Sequence, residues 1–376
     1  MADIVQNPAL LSISEGRRKL QSLAFAQSSQ MTLQIPCDTV VKRMEIRFSG
    51  NVTTTYASGT PVADALSTFD NLVSNTRLVV DGATTVKSTR PYMLRQNQLL
   101  MSGVLAERKA SAGAAAASFN NPTADAGFTY GTTTQITTVA ESFVLFFQMP
   151  SPWVAPEDRE STYLNLKGRS TCELTFNSRA YSSLLGFGNT APVVYSADDF
   201  RIDVTLVEDR SMPREKVFLD YIQTNQQVTH SAAASEMRFR LPVSQWLAGL
   251  SILTRDGAAG SATTASGKLL NSNVMSNVQL AVNGTNVIQQ TTFQAIQAQN
   301  RQQFGVVAPF GSNVSLFDGF AFLNLLQNGK LASALDCRKS QGVDNVEVVY
   351  DLNGSPISYT NPISIDFETH EIRQRT

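Results

Sequence analysis

Charge is scarce in this chain: only 16% of its 376 residues are Asp, Glu, Lys or Arg, against roughly a quarter in an average soluble protein. Asn, Gln, Ser and Thr take their place. Such a surface suits large permanent subunit contacts, where a buried unpaired charge is costly. The formal net charge of −1 gives the body no electrostatic footprint for nucleic acid, and no sequence-specific nucleic-acid partner is expected. Cysteine is sparse too. Cys37, Cys172 and Cys337 are odd in number and lack metal-ligand spacing, which argues against a disulfide scaffold and for free thiols in a protein made in a cytoplasm. No apolar run approaches the roughly 18 residues that a spanning helix needs. A secretion signal is not read either, because the basic triplet Arg17, Arg18 and Lys19 follows the apolar cluster Leu10–Ile13 instead of preceding it.

Reactive side chains are equally few. The two histidines, His230 and His370, fall in a connector and in the last strand, and no Ser or Cys is paired with a base by motif. Gly186-Phe187-Gly188-Asn189-Thr190-Ala191 imitates a dinucleotide fingerprint without the βαβ context that a fingerprint requires. Ala262–Lys268 imitates the end of a P-loop, but the first glycine is missing and Leu269 stands where a magnesium-binding hydroxyl belongs. No catalytic residue and no cofactor is expected. Asp199, Asp203, Asp336 and Asp351 are candidates for a structural calcium ion between subunits, with no EF-hand spacing to support it.

What the chain does have is a second copy of itself. Asn71–Gly82 reads NLVSNTRLVVDG and Asn273–Gly284 reads NVMSNVQLAVNG, an offset of 202 with six of twelve positions identical. Chance would give about one. Upstream, Leu33–Pro36 aligns with Phe239–Pro242 and Met44–Ile46 with Leu250–Ile252, at an offset of 206. Downstream, Arg201–Val204 aligns with Ser364–Phe367 at an offset of 163, so the first copy carries an insertion in its second half. Three segments in the same order point to a duplicated domain.

Each copy reads as a β-sandwich. Met44, Ile46 and Phe48 alternate with Glu45 and Arg47, the pattern of a half-buried strand. Asp81-Gly82 and Asn283-Gly284 predict hairpins with primed turns, each followed by a short helix, at Arg90–Met101 and Thr292–Arg301. Phe143–Phe147 (FVLFF) is apolar enough to predict a strand buried on both faces. The expected fold is all-β, two tandem eight-stranded jelly-roll sandwiches, each with a short helix after the central hairpin. The expected boundaries are an N-terminal arm over 1–30, a first jelly roll over 31–212, a linker over 213–230 and a second jelly roll over 231–376. Leu10, Leu11, Leu20, Leu23 and Phe25 suggest a helical face in the arm, with Ser14 as its N-cap. The segments 103–142 and 256–267 read as surface loops.

On Leu33–Pro36, Met44–Gly50, Asn75–Gly82 and Thr171–Phe176, and on the tandem organisation, the chain resembles the double jelly-roll major capsid proteins of tailless icosahedral viruses. The resemblance is to the smaller versions in membrane-containing bacteriophages such as corticoviruses and tectiviruses. It implies a structural virion protein, made in the host cytoplasm, that forms homotrimers approximating a hexagonal tile. It further implies contacts with neighbouring trimers, with minor capsid and penton proteins, and with an internal lipid membrane. Arg17, Arg18 and Lys19 would then lie on an arm facing membrane or genome, and the two loops on the outer side. The alternative is a β-sandwich receptor-binding, carbohydrate-binding or spike protein. Such a protein would show an export signal or clustered aromatics, whereas Trp153 and Trp246 are far apart.

Overall fold

The computed structural model describes residues 15–55, 69, 72–102, 108–111, 135–148, 154, 156–180, 194–210, 218–256, 270–304, 319–326, 329–355 and 357–374. The first half contains β1 (Glu15–Lys19), β2 (Leu23–Ala24), β3 (Gln30–Gln34), β4 (Val40–Thr55), β5 (Val73–Val80) and β6 (Thr84–Thr89). It continues with α1 (Pro91–Ser102), β7 (Arg108–Ser111), β8 (Gln135–Phe146), α2 (Pro156–Ser161), β9 (Leu164–Asn165), β10 (Cys172–Ser178) and β11 (Val194–Asp209). The second half runs through β12 (Leu219–His230), β13 (Met237–Arg240), β14 (Trp246–Arg255), β15 (Met275–Val282) and β16 (Asn286–Thr292). It ends with α3 (Phe293–Phe304), β17 (Phe320–Asn324), β18 (Leu335–Asp336), β19 (Val346–Leu352) and β20 (Ile363–Gln374).

Three sheets build two sandwiches. One has the order β1-β11-β4-β8-β7, a second β13-β19-β15-β16, and a nine-stranded sheet β17-β14-β20-β12-β6-β5-β10-β3 serves both. In the first sandwich the inward residues of both layers close around aromatic rings, Phe48 stacking on Phe200 at 4.8 Å and Phe69 meeting Phe143 at 4.6 Å. In the second, Phe239 stacks on Phe367 at 4.8 Å and Tyr350 tilts against Phe367 at 5.5 Å. Each fully buried Phe contributes about 1.5–3 kcal/mol by leaving water.

The duplication holds at the level of single cross-strand pairs. Met44 opposes Leu206 and Leu250 opposes Thr369, which are the same pair shifted by 206 and 163. Val80 opposes Cys172 and Thr84, and Val282 opposes Val346 and Asn286. The irregularities repeat as well. A bulge follows Leu78 in one hairpin and Leu280 in the other, and another lies at Val207/Glu208 and again opposite it at Leu247/Gly249. Both hairpin turns take positive φ at two successive residues, Asp81 (53°) and Gly82 (67°), then Asn283 (54°) and Gly284 (73°). That is the type I′ turn, which matches the twist of the flanking strands.

Three expectations need correction. The arm is not helical where it is described: Glu15–Lys19 is a strand along β11, with Arg18 opposite Leu206. The linker contains β12, which runs along β20 with Thr224 opposite Thr369. Arg18 and Thr224 differ by the same 206, so arm and linker are two copies of one opening strand, and each sandwich begins earlier than expected. With them each copy has eight matching strands: β1, β3, β4, β5, β6, β8, β10 and β11 match β12 to β17, β19 and β20. Strand pairing across the sandwich, invisible to local helical spacing, overrode the propensity of the arm. Second, FVLFF is not buried on both faces, since Phe143, Leu145 and Phe147 point inward while Val144 and Phe146 are half-buried. Strands buried on both faces lie instead in the second copy, among them β14, whose outer residue Leu253 packs with Tyr92, Met93 and Leu100 of α1. Third, Arg108–Ser111 and Gln135–Phe146 within the first loop are paired strands. The rest of that loop, residues 257–267 of the second, and Leu10, Leu11 and Ser14 lie outside the described residues.

Candidate functional site

The basic triplet stays together on β1, but every cation is matched. Arg17 Nη1 lies 3.1 Å from Glu45 Oε2, and Lys19 Nζ lies 3.3 Å from Asp203 Oδ1. Arg18 reaches Asp38 at 3.1 Å and the buried Glu208 at 2.8 Å. The neighbours that do this sit on β4, β11 and the turn before β4, far away in sequence. The triplet is therefore neutralised on the sandwich and presents little surplus charge to a lipid or phosphate surface. The four acidic calcium candidates do not converge. Asp203 faces Lys19, Asp336 takes Arg338, and Asp351 accepts from the Glu236 amide and from Asn277. Among the described residues no three His, Cys, Asp or Glu side chains come together as a metal site.

Sequence reasoning missed a buried polar cluster where the two sandwiches meet. There β12 pairs parallel to β6, Gln223 opposite Lys87 and Thr224 opposite Ser88. Lys87 is fully buried, its ammonium 3.3 Å from the centroid of the Tyr221 ring and 5.5 Å from that of Phe147, and Nζ donates no hydrogen bond. Burial holds its pKa well below the usual lysine range. Glu368 accepts from Thr89, from Asn97 at 3.0 Å and from Gln223 at 3.1 Å. Burial raises its carboxyl to about 7, against the lowering pull of Thr89, Asn97 and Lys87. His370 bonds Ser251 at 2.8 Å through Nε2 and Tyr221 through Nδ1, and burial keeps it neutral by depressing its pKa. At the rim Arg90 Nη1 lies 2.9 Å from Asp366, which Arg255 approaches at 3.6 Å.

Ser251, His370 and Glu368 superficially suggest a nucleophile, base and acid. Their geometry is wrong for it: Glu368 approaches the same ring nitrogen, Nε2, that bonds Ser251, at 3.8 Å, so it cannot orient the imidazole from behind. All three are sealed, with 0% exposure. The cluster instead bears on how the two sandwiches dock, since Thr89 and Asn97 of the first copy reach Glu368 of the second in one register. A sequence signal existed in retrospect. On β20, Asp366, Glu368 and His370 alternate with the core residues Ile365 and Phe367, so the strand turns a run of ionisable groups to its far side, and Lys87 is a lone charge on β6 opposite the core residue Leu78.

Two of the sheet edges are counterparts of the strands paired at the junction. β1 ends one sheet and β16 ends another. The large hydrophobics exposed among the described residues are Val287 and Ile288, both on β16, at 48% and 46%.

No family model matches this chain, and no curated protein matches it either. Solved structures do. The crystal structure of the STIV MCP aligns over 96% of this chain and 97% of its own, with a TM-score of 0.65 and 13% identity. The PBCV-1 virus capsid aligns over 95% and 93%, at a TM-score of 0.58 and 12% identity. The major capsid protein P2 from Bacteriophage PM2 aligns over 96% and 98%, at a TM-score of 0.50 and 12% identity. Identity this low speaks to fold alone. The alignments run the full length of both partners, and with two eight-stranded copies, each carrying one helix after its hairpin, this chain has the double jelly-roll fold of those viral capsid proteins.

Proposed function

We propose that this protein is a major capsid protein, a structural component of an icosahedral virion shell. The observation that carries the reading is the tandem repetition of one sandwich through a buried junction, in a fold shared end to end with viral capsid proteins. A shell tile must contact identical neighbours on several sides, and two equivalent sandwiches per chain let three chains approximate a hexagon under closed symmetry. Homotrimers would then contact neighbouring trimers and the minor proteins at shell vertices. Synthesis in a host cytoplasm, a shell around an internal membrane and a genome- or membrane-facing role for the segment around Arg17, Arg18 and Lys19 belong to the same reading. The matched ion pairs of that triplet favour a role against protein rather than lipid. Size-exclusion chromatography with light scattering should give three times the chain mass of 40.9 kDa. Negative-stain microscopy of the expressed protein should show hexagonal tiles or shells. A stable monomer at micromolar concentration, with no assembly under any salt condition, would overturn the reading.

A further inference from the structure

The chain closes one of its two sandwich junctions internally and leaves the matching halves of a second one open. β6 of the first copy is covered by β12 of the second. Among the described residues its counterpart β16 is covered by nothing, and the counterpart of β12 is β1, an edge strand. Equivalent side chains report the difference. Val86 on β6 is 2% exposed, and its counterpart Ile288 is 46% exposed. Tyr92, Met93, Gln96, Asn97 and Leu100 of α1 are all buried at the junction. Their counterparts on α3, at the offset of 202, are Gln294, Ala295, Ala298, Gln299 and Gln302, and all but the half-buried Ala295 are exposed.

We infer that β16 and the outer face of α3 receive β1 of a neighbouring copy of this chain, parallel and in the register of the internal junction. The offsets of 206 and 202 turn the internal pairs Gln223/Lys87 and Thr224/Ser88 into Arg17/Gln289 and Arg18/Gln290 between chains. The pairing is chemically sensible. Inside the chain a cation on β6 faces an amide on β12; between chains the cation is on β1 and the amide on β16. A guanidinium also donates to a glutamine carbonyl more readily than to an apolar edge. The amides of Gln294, Gln299 and Gln302 on α3 suit the charged outer surface of β1 and β4, where Glu15, Arg17, Arg43 and Glu45 form a network. Pairing edge to edge also covers two of the open edge strands that would otherwise invite aggregation. Because the two edges differ, the contact is head to tail, and it ends only by closing a ring.

This inference rests on the capsid reading and specifies its interface. The test is a disulfide between copies, since directly opposed strand residues lie within disulfide reach. With Cys37 changed to Ser, the pair Arg17→Cys and Gln289→Cys should give covalent dimers and closed trimers on non-reducing gels, and either change alone should give none of the closed trimer. Ile288→Asp, exposed in the single chain, should leave its circular dichroism unchanged and reduce the light-scattering mass from three chains to one. If the parent protein is a trimer yet the double variant stays uncrosslinked and Ile288→Asp remains trimeric, the inference fails and the capsid reading survives. A parent protein that never assembles overturns both.

Discussion

Lys87→Met should stabilise the protein, most of all in acid. The lysine is sealed between the sandwiches without a hydrogen bond, and its favourable contacts are the Tyr221 ring and the charge of Glu368. Methionine keeps the length and removes the charge. At pH 5 Glu368 is mostly protonated, so the change removes an unpaired buried ammonium and strands no charge; relieving its desolvation is worth roughly 3–4 kcal/mol, and losing a desolvated cation–π contact gives back about 2. The net gain should be about 1–2 kcal/mol at pH 5. The sign follows from linkage. A lysine whose folded pKa is depressed makes the unfolded chain bind more protons below the usual lysine value of 10.5, so its cost is present at all lower pH once the folded value is passed. Glu368 titrates near 7 and is mostly protonated at pH 5, where it offsets none of that cost. As pH rises to 8 the depressed lysine holds its proton less in the folded state while Glu368 ionises, so the cost falls and the gain should shrink. Urea unfolding at pH 5 and pH 8, at one protein concentration, measures both. A loss of 1 kcal/mol or more at pH 5 would refute the reasoning, because the ring contact would then outweigh desolvation.

The same cluster predicts a pH slope of its own: the raised carboxyl of Glu368 makes stability fall as pH rises from 4.5 to about 7, and Glu368→Gln should flatten that segment of a stability–pH profile. Val80→Asp and Val282→Asp each put a carboxylate into a core at equivalent positions, 1% and 7% exposed, and each should cost upwards of about 4 kcal/mol and yield insoluble protein. Soluble, folded product from either change would contradict the alignment of the two copies. Cys172 and Cys337 are buried and their thiols are pushed up to about 12, whereas Cys37 is half-buried. Native protein should therefore alkylate at Cys37 first and take up two further equivalents only on unfolding, read by intact mass.

The sequence alone determined the duplication, both hairpins, both helices after them, and hence the all-β tandem architecture. These are local signals: Asp81-Gly82 and Asn283-Gly284 specify their turns through φ, and alternation in Met44–Phe48 specifies a face. The offsets 206, 202 and 163 read from segments such as Leu33–Pro36 even carried the strand register, because period-two side chains permit no slip where one face is buried. Tertiary structure decided what lies between copies. The opening strands β1 and β12 have no turn and no clean alternation to announce them, since EGRRK and LDYIQTNQQVTH owe their conformation to the strands they lie against. Which helix would be buried could not be read from pattern either: α1 and α3 follow the same hairpin, and only the docking of the second sandwich onto the first covers Tyr92, Met93 and Leu100 while leaving Gln294 and Gln302 in water. The pairing of Lys87 with Glu368, some 280 residues apart, is set by that docking alone, because burial and cross-sheet distance are properties of the assembled sandwiches and of no stretch of chain.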